Sequence, residues 1–72
     1  MKQIAVLGLG RFGTSVARSL MELGVEVMGV DRDPDKVALL AHEITHAVQA
    51  DILDNDALDT LGLRNFDAVI LS

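Results

Sequence analysis

With 72 residues, a formal charge of −5 and no cysteine, the chain can form one small domain that buries only about 60% of its unfolded surface. The acidity excludes a general nucleic-acid surface, which needs clustered Lys and Arg to displace counterions from phosphates, and the missing thiols exclude a disulfide framework and thiolate metal sites. Half of the residues are apolar, yet there are two Phe, no Trp and no Tyr, so the core must be aliphatic, the palette of a parallel sheet buried on both faces.

Ile4 to Leu7 is a short apolar run ended by Gly8 and reads as a buried first strand. It is too short for a signal h-region and meets a glycine turn rather than a cleavage site; no apolar stretch approaches the ~18 residues of a membrane span. A cytoplasmic domain is the expectation. From Phe12 to Leu23 the apolar positions Phe12, Val16, Leu20 and Leu23 recur at the spacing of one helix face, which makes Phe12 a core residue, and Gly24 stops the helix. Val25 to Val30 is a second strand closed by Asp31. Asp33 and Pro34 supply the cap and first position of a second helix, running to about Glu43 with Val37, Leu40 and Ala41 inward and Lys36, His42 and Glu43 in water. His46 to Ala50 is a third strand. Asp54 caps a short third helix with Ala57, Leu58 and Leu61 inward, Gly62 ends it, and Ala68 to Leu71 forms a fourth strand.

The order βαβαβαβ with short links specifies an α/β, Rossmann-like parallel sheet with right-handed crossovers and strand order 3-2-1-4. Residues 1 to 72 read as the N-terminal part of a single nucleotide-binding domain. A doubly wound dinucleotide fold has six strands, so this one is expected to be truncated after the fourth. That strand would be an apolar edge in need of cover, as in a fragment or a swapped dimer.

Gly8-Leu9-Gly10-Arg11-Phe12-Gly13 is a G-x-G-x-x-G pattern. Alone it is weak, but here it lies between a predicted strand and a predicted helix, as the phosphate-binding fingerprint requires. Gly8 makes the tight turn, Gly10 lacks the Cβ that would hold a pyrophosphate off the backbone, and Gly13 lets the helix press against the sheet; helix-start amides then face the anion. Asp31, 18 residues beyond Gly13, sits near the ~20-residue offset at which an acid meets ribose hydroxyls. Arg11 is placed to bond phosphate oxygens, or is merely solvated. Arg32 stacks on adenine or faces solvent. Asp51 ends the third strand on the same edge and is placed to accept from the adenine amino group, or serves as a loop cap. The acidic run Asp51, Asp54, Asp56 and Asp59 matches no EF-hand loop, and His42 and His46 are separated by a helix break, so no metal is expected.

With these residues placed, the chain resembles the N-terminal lobe of the RCK/KTN family (regulator of potassium conductance, also called TrkA-N). The likeness is carried by Ile4 to Gly13 in its G-x-G-R-x-G form, by Val30-Asp31, by His46 to Asp51, and by Leu61 to Ile70 with its Asn65-Phe66-Asp67 approach to strand four. It implies a cytoplasmic regulatory domain, not an enzyme, at the inner face of the plasma membrane. Such a domain binds NAD(H), ATP or ADP, associates with a membrane potassium transporter or channel subunit, and forms a homo-oligomer, a dimer or higher ring, without nucleic acid. Cofactor contacts fall on Gly8, Gly10, Arg11, Phe12, Gly13, Asp31, Arg32, Asp51 and Ile52. Since the family's lobe continues past strand four, the adenosine-diphosphate half of the site is expected to persist better than a whole dinucleotide site. The rival is the cofactor half of an NAD-dependent oxidoreductase; against it, no catalytic acid or base can be named near a nicotinamide. An interaction module that kept the fold and lost the ligand is the third possibility.

Overall fold

The computed structural model describes residues 2–72. The elements follow the expected order: β1 (Gln3–Leu7), α1 (Arg11–Glu22), β2 (Glu26–Asp31), α2 (Pro34–Leu40), β3 (His46–Gln49), α3 (Asn55–Thr60), a 3-10 turn (Leu63–Asn65) and β4 (Ala68–Leu71). All four strands are parallel in one sheet of order β3-β2-β1-β4. The chain thus has the Rossmann-like α/β architecture of alternating strands and helices, and it ends one residue past β4.

The crossover direction explains the layers. From β1 the chain steps outward to β2 and then β3, and right-handed crossovers keep α1 and α2 on one face of the sheet. The return from β3 to β4 runs the other way and carries α3 to the opposite face. Strand alternation divides the core accordingly. Val6 and Val27 join Leu9, Ala17, Leu40 and Ile44 on the α1 and α2 face, while Ala5, Leu7, Met28 and Val30 face α3, where Val48, Ile52, Leu58, Leu61 and Phe66 pack against them. Reversal of direction at β1 creates a switch point between β1 and β4, at whose carboxyl ends open α/β sheets bind ligands.

Helix ends follow local chemistry. Asp33 accepts from Asp35 N–H to cap α2, and Asp54 accepts from Asp56 and Ala57 N–H to cap α3. Gly62, at φ +71°, turns the chain out of α3 into the 3-10 turn, an element without a sequence signal strong enough to foresee.

Two expected faces are corrected. In α1 the buried positions are Gly13 and Ala17, with Val16, Leu20 and Met21 packed beside them, while Phe12 and Leu23 are 70% and 76% exposed. Small residues bring α1 close to the sheet, so its contact stripe is rotated away from the two largest end residues. Helix α2 stops at Leu40 rather than near Glu43; Ala41 is exposed and the inward place passes to Ile44, buried in the following turn. Ile44 Cδ1 and Leu9 Cδ2 lie where a Cβ on Gly29 would stand, so this glycine in β2 seats both side chains on the sheet.

Adjacent residues of α2 offer a direct check on the packing. Leu40 is 1% exposed and Leu39 75%. We expect Leu40→Ala to cost about 2–5 kcal/mol through cavity formation and Leu39→Ala to stay within about 0.5 kcal/mol. In a domain of this size each kcal/mol moves Tm by roughly 4–8 °C, so equal melting of the two variants by circular dichroism contradicts the assignment.

Candidate functional site: an open helix amino terminus at the sheet's carboxyl edge

The glycine turn is held from both neighbouring strands. Gly8, at φ +99°, sits in a left-handed conformation open to glycine; its N–H donates to Val30 O at 2.8 Å. Leu9 then inserts into the α1 and α2 core, 3% exposed, and its N–H donates to Asp31 Oδ2 at 2.7 Å. The other carboxylate oxygen, Oδ1, accepts from Asp33 N–H at 2.9 Å. On the far side, Ser72 Oγ donates toward Gly8 O at 2.6 Å and Leu7 O at 3.2 Å.

Beyond Leu9 the backbone opens. Gly10 is the N-cap of α1 and provides no side-chain cap, and the first turn holds no acidic residue. The first helical bond runs from Thr14 N–H to Gly10 O at 2.9 Å, which leaves the amides of Arg11, Phe12 and Gly13 without intrahelical acceptors. Both other helices differ: α2 and α3 have Asp caps and an additional acid, Asp35 or Asp56, in the first turn. The positive end of the α1 dipole is therefore the one left unneutralised, and Arg11 adds to it.

The three glycines of the motif do different work. A Cβ on Gly13 would run into the carbonyl oxygen of Gly8 and lie 2.5 Å from Ser72 Oγ, so the first turn of α1 can close onto the loop only without one. A Cβ on Gly10 would meet nothing within 4 Å. Space above Gly10 is thus open to a ligand and is not consumed by the protein's own packing. It continues into an open cleft of about 510 Å³ lined by Leu9, Gly10, Arg11, Thr14, Arg18 and Lys36 among others. Arg11 and Lys36 supply positive charge along the cleft, while Glu22 also lines it and Arg18 is ion-paired with Glu43 at 2.9 Å.

Asp31, 9% exposed, is the buried acid of the described residues. Burial pushes its carboxyl pKa up, but the N–H groups of Asp33 and Leu9, the Lys36 charge and the Arg32 N–H outweigh this and hold it below the ordinary value. It remains a carboxylate, each of whose oxygens accepts a backbone N–H. Lys36, which the helical pattern assigns only to water, thereby belongs to the site's electrostatics; so does Thr14, whose hydroxyl donates to Leu9 O at 3.0 Å.

The remaining expected residues separate. Arg32 and Asp51 come together with Gln49 and Ala50 around a second hollow of about 340 Å³, and Ala50 N–H donates to the Asp31 carbonyl at 3.1 Å; Asp31 itself lines neither hollow. Asp51 Oδ1 also accepts from Leu53 N–H at 2.9 Å, the loop-closing role weighed for it. Ile52 is half-buried against the α3-side core and lines neither hollow. Phe12 contributes a backbone amide at the helix start, while its side chain projects into solvent. A third hollow, about 720 Å³ between α3 and the 3-10 turn, involves no residue of the glycine loop. Among the described residues no group of three or more His, Asp or Glu could hold a metal, and no helix is long and apolar enough to cross a membrane.

Removal of the Asp31 charge should be read out in stability. Asp31→Asn leaves the Leu9 and Asp33 amides with a weaker acceptor, a loss of about 1–3 kcal/mol near neutral pH. Because the folded-state pKa is depressed, the charge stabilises the fold fully above the unfolded value of about 3.9 and ceases to do so as pH falls through the lower folded value. The Tm gap between wild type and Asp31→Asn should therefore be constant above about pH 5 and narrow below about pH 4; a gap that widens on acidification contradicts the brace.

Comparison with known proteins places the fold in a family. The family model described as TrkA-N domain matches residues 4–72. The chain is 54% identical over 71 residues to Ktr system potassium uptake protein C of Bacillus subtilis (strain 168), covering 99% of this chain and 32% of that protein. It is 46% identical, with the same coverage, to Ktr system potassium uptake protein A of the same organism. Identity to Ktr system potassium uptake protein A of Vibrio alginolyticus is 35%, again over 99% of this chain and 32% of the relative. The chain thus spans about a third of the length of these curated relatives. Its glycine loop, parallel sheet and match along residues 4–72 establish that the chain belongs to the TrkA-N family.

Proposed function

We propose that the chain is a nucleotide-sensing regulatory domain that takes an adenine nucleotide, NAD(H), ATP or ADP, at the amino terminus of α1. The observation that carries this reading is the uncapped helix start above Gly10, where a side chain would have room and none is present. Phosphate oxygens accept from the amides of Arg11, Phe12 and Gly13 and from the Arg11 guanidinium, the arrangement that helix dipoles and orphan amides favour. Asp31 faces the ribose, and Arg32 and Asp51 flank the adenine end.

Its relatives are named for potassium uptake, and this supports assigning the domain to control of potassium transport through an associated membrane subunit. In that role it lies at the inner face of the membrane as part of a homo-oligomer, converting nucleotide occupancy into a change in transport. An oxidoreductase reading finds no supporting observation in the site: the acids lining the edge, Asp31 and Asp51, are engaged with backbone amides.

Gly10→Val tests the site with little disturbance of the fold. The residue has an extended backbone, φ −71° and ψ −165°, which valine adopts readily, and the change in N-cap preference costs roughly 1 kcal/mol. Titration calorimetry should show ADP, ATP and NAD binding to the wild type and no binding to Gly10→Val, with both proteins folded at the assay temperature. Silence of the wild type toward all three, or undiminished binding by the variant, overturns the proposal.

A further inference from the structure

The peptide group between Gly8 and Leu9 is gripped at both ends by side chains from different strands. Its N–H is held by Asp31 Oδ2 at the end of β2, at 2.7 Å. Its C=O accepts from Ser72 Oγ at the end of β4, at 2.6 Å. A peptide group is planar and rigid, so two hydrogen bonds on its opposite edges fix the plane's orientation. That orientation sets the path of the backbone into Gly10 and the direction of the amides that follow.

Ser72 is well placed to act this way. Its own N–H donates to Leu7 O at 3.0 Å, continuing the β1 and β4 ladder by one residue. This anchors its Cα at the switch point and leaves the hydroxyl over the loop. The Gly8 carbonyl is also walled in by Gly13, since a Cβ at that position would strike it. The carbonyl is therefore pinned between the β4 hydroxyl and the first turn of α1.

We propose that Ser72 is a positioning residue for nucleotide binding: its hydroxyl holds the Gly8–Leu9 peptide in the orientation that aims the α1 amides at phosphate. It makes this contribution without touching the ligand. This rests on the nucleotide reading of the site given above. Strand β4 is thereby tied to the loop, so a displacement of β4 changes affinity at α1.

Calorimetric titration with ADP and amide hydrogen exchange, both on the full chain, test the assignment. Ser72→Ala should bind ADP about tenfold more weakly, equivalent to ~1.4 kcal/mol, and the Leu9 amide should exchange several-fold faster without ligand. A serine that merely supports the fold would lower Tm and leave both values unchanged at temperatures where the variant is folded. Ser72→Thr, which keeps the hydroxyl, should restore both readouts. Should Ser72→Ala fail to fold, Ser72→Cys, a weaker donor of similar size, takes its place in the same comparison. Wild-type ADP affinity in Ser72→Ala or Ser72→Cys overturns the proposal whatever the Leu9 exchange rate, and so does wild-type Leu9 exchange. Absence of ADP binding by the wild type contradicts the nucleotide reading alone, and Leu9 exchange still decides the role of Ser72.

Discussion

The hydrogen bond from Leu9 N–H to Asp31 Oδ2 at 2.7 Å ties the glycine loop to the end of β2, beside the bonds that Gly8 makes with Val30 O and Ser72 Oγ. Loops that approach a ligand expose unpaired amides and tend to be mobile; here the residue after the tight turn is tied to a nearly buried carboxylate and its side chain is sunk in the core. The carboxylate is stable in that place because the N–H groups of Asp33, Leu9 and Arg32 and the Lys36 charge compensate for lost hydration. Leu9 has no room in the core unless β2 carries glycine at position 29. The loop's geometry thus depends on residues outside the first turn of α1: Asp31, Gly29, the turn-forming Gly8 and Ser72.

Helix capping shows where stability has been set aside. Two helices of three begin with an aspartate that accepts from their own amides, worth on the order of 1 kcal/mol each. Helix α1 is the longest at 12 residues, yet it begins on an uncapped glycine followed by arginine. A chain that caps its minor helices and leaves its principal one open departs from local optimum at one place, and such departures mark functional positions. Charge points the same way, since the chain is acidic at −5 while Arg11 and Lys36 line the cleft beside the open amides, with Glu22 at its far side and Arg18 paired to Glu43.

The strands and their order were legible because β-branched runs are separated by glycines, aspartates and short helical patterns, and crossover handedness does the rest. The glycine loop and Asp31 were legible as chemistry, and their common edge follows from topology. Less visible was everything that depends on close approach. Hydropathy spacing assigned Phe12 and Leu23 to the core because it weighs large apolar residues, whereas Gly13 and Ala17 make the contact by being small. Ala41 lost its inward place to Ile44 once α2 ended early. The grip of Ser72 on Gly8 joins residues 64 positions apart, and a serine at a strand end carries no local sign of such a partner. Lys36 was missed for a different reason: its helix phase points to water, and the first turn of α2 nonetheless leaves its charge close enough to act on Asp31 five residues earlier.

The most direct measurement is a two-dimensional nitrogen-proton NMR titration of the chain with ADP, which reports each backbone amide separately. Binding at the α1 amino terminus predicts the largest shifts at Gly10, Arg11, Phe12 and Gly13, with Leu9 and residues 31–33 following. Shifts confined to the hollow between α3 and the 3-10 turn, or no shifts at the four α1 amides at saturating ADP, would contradict the account.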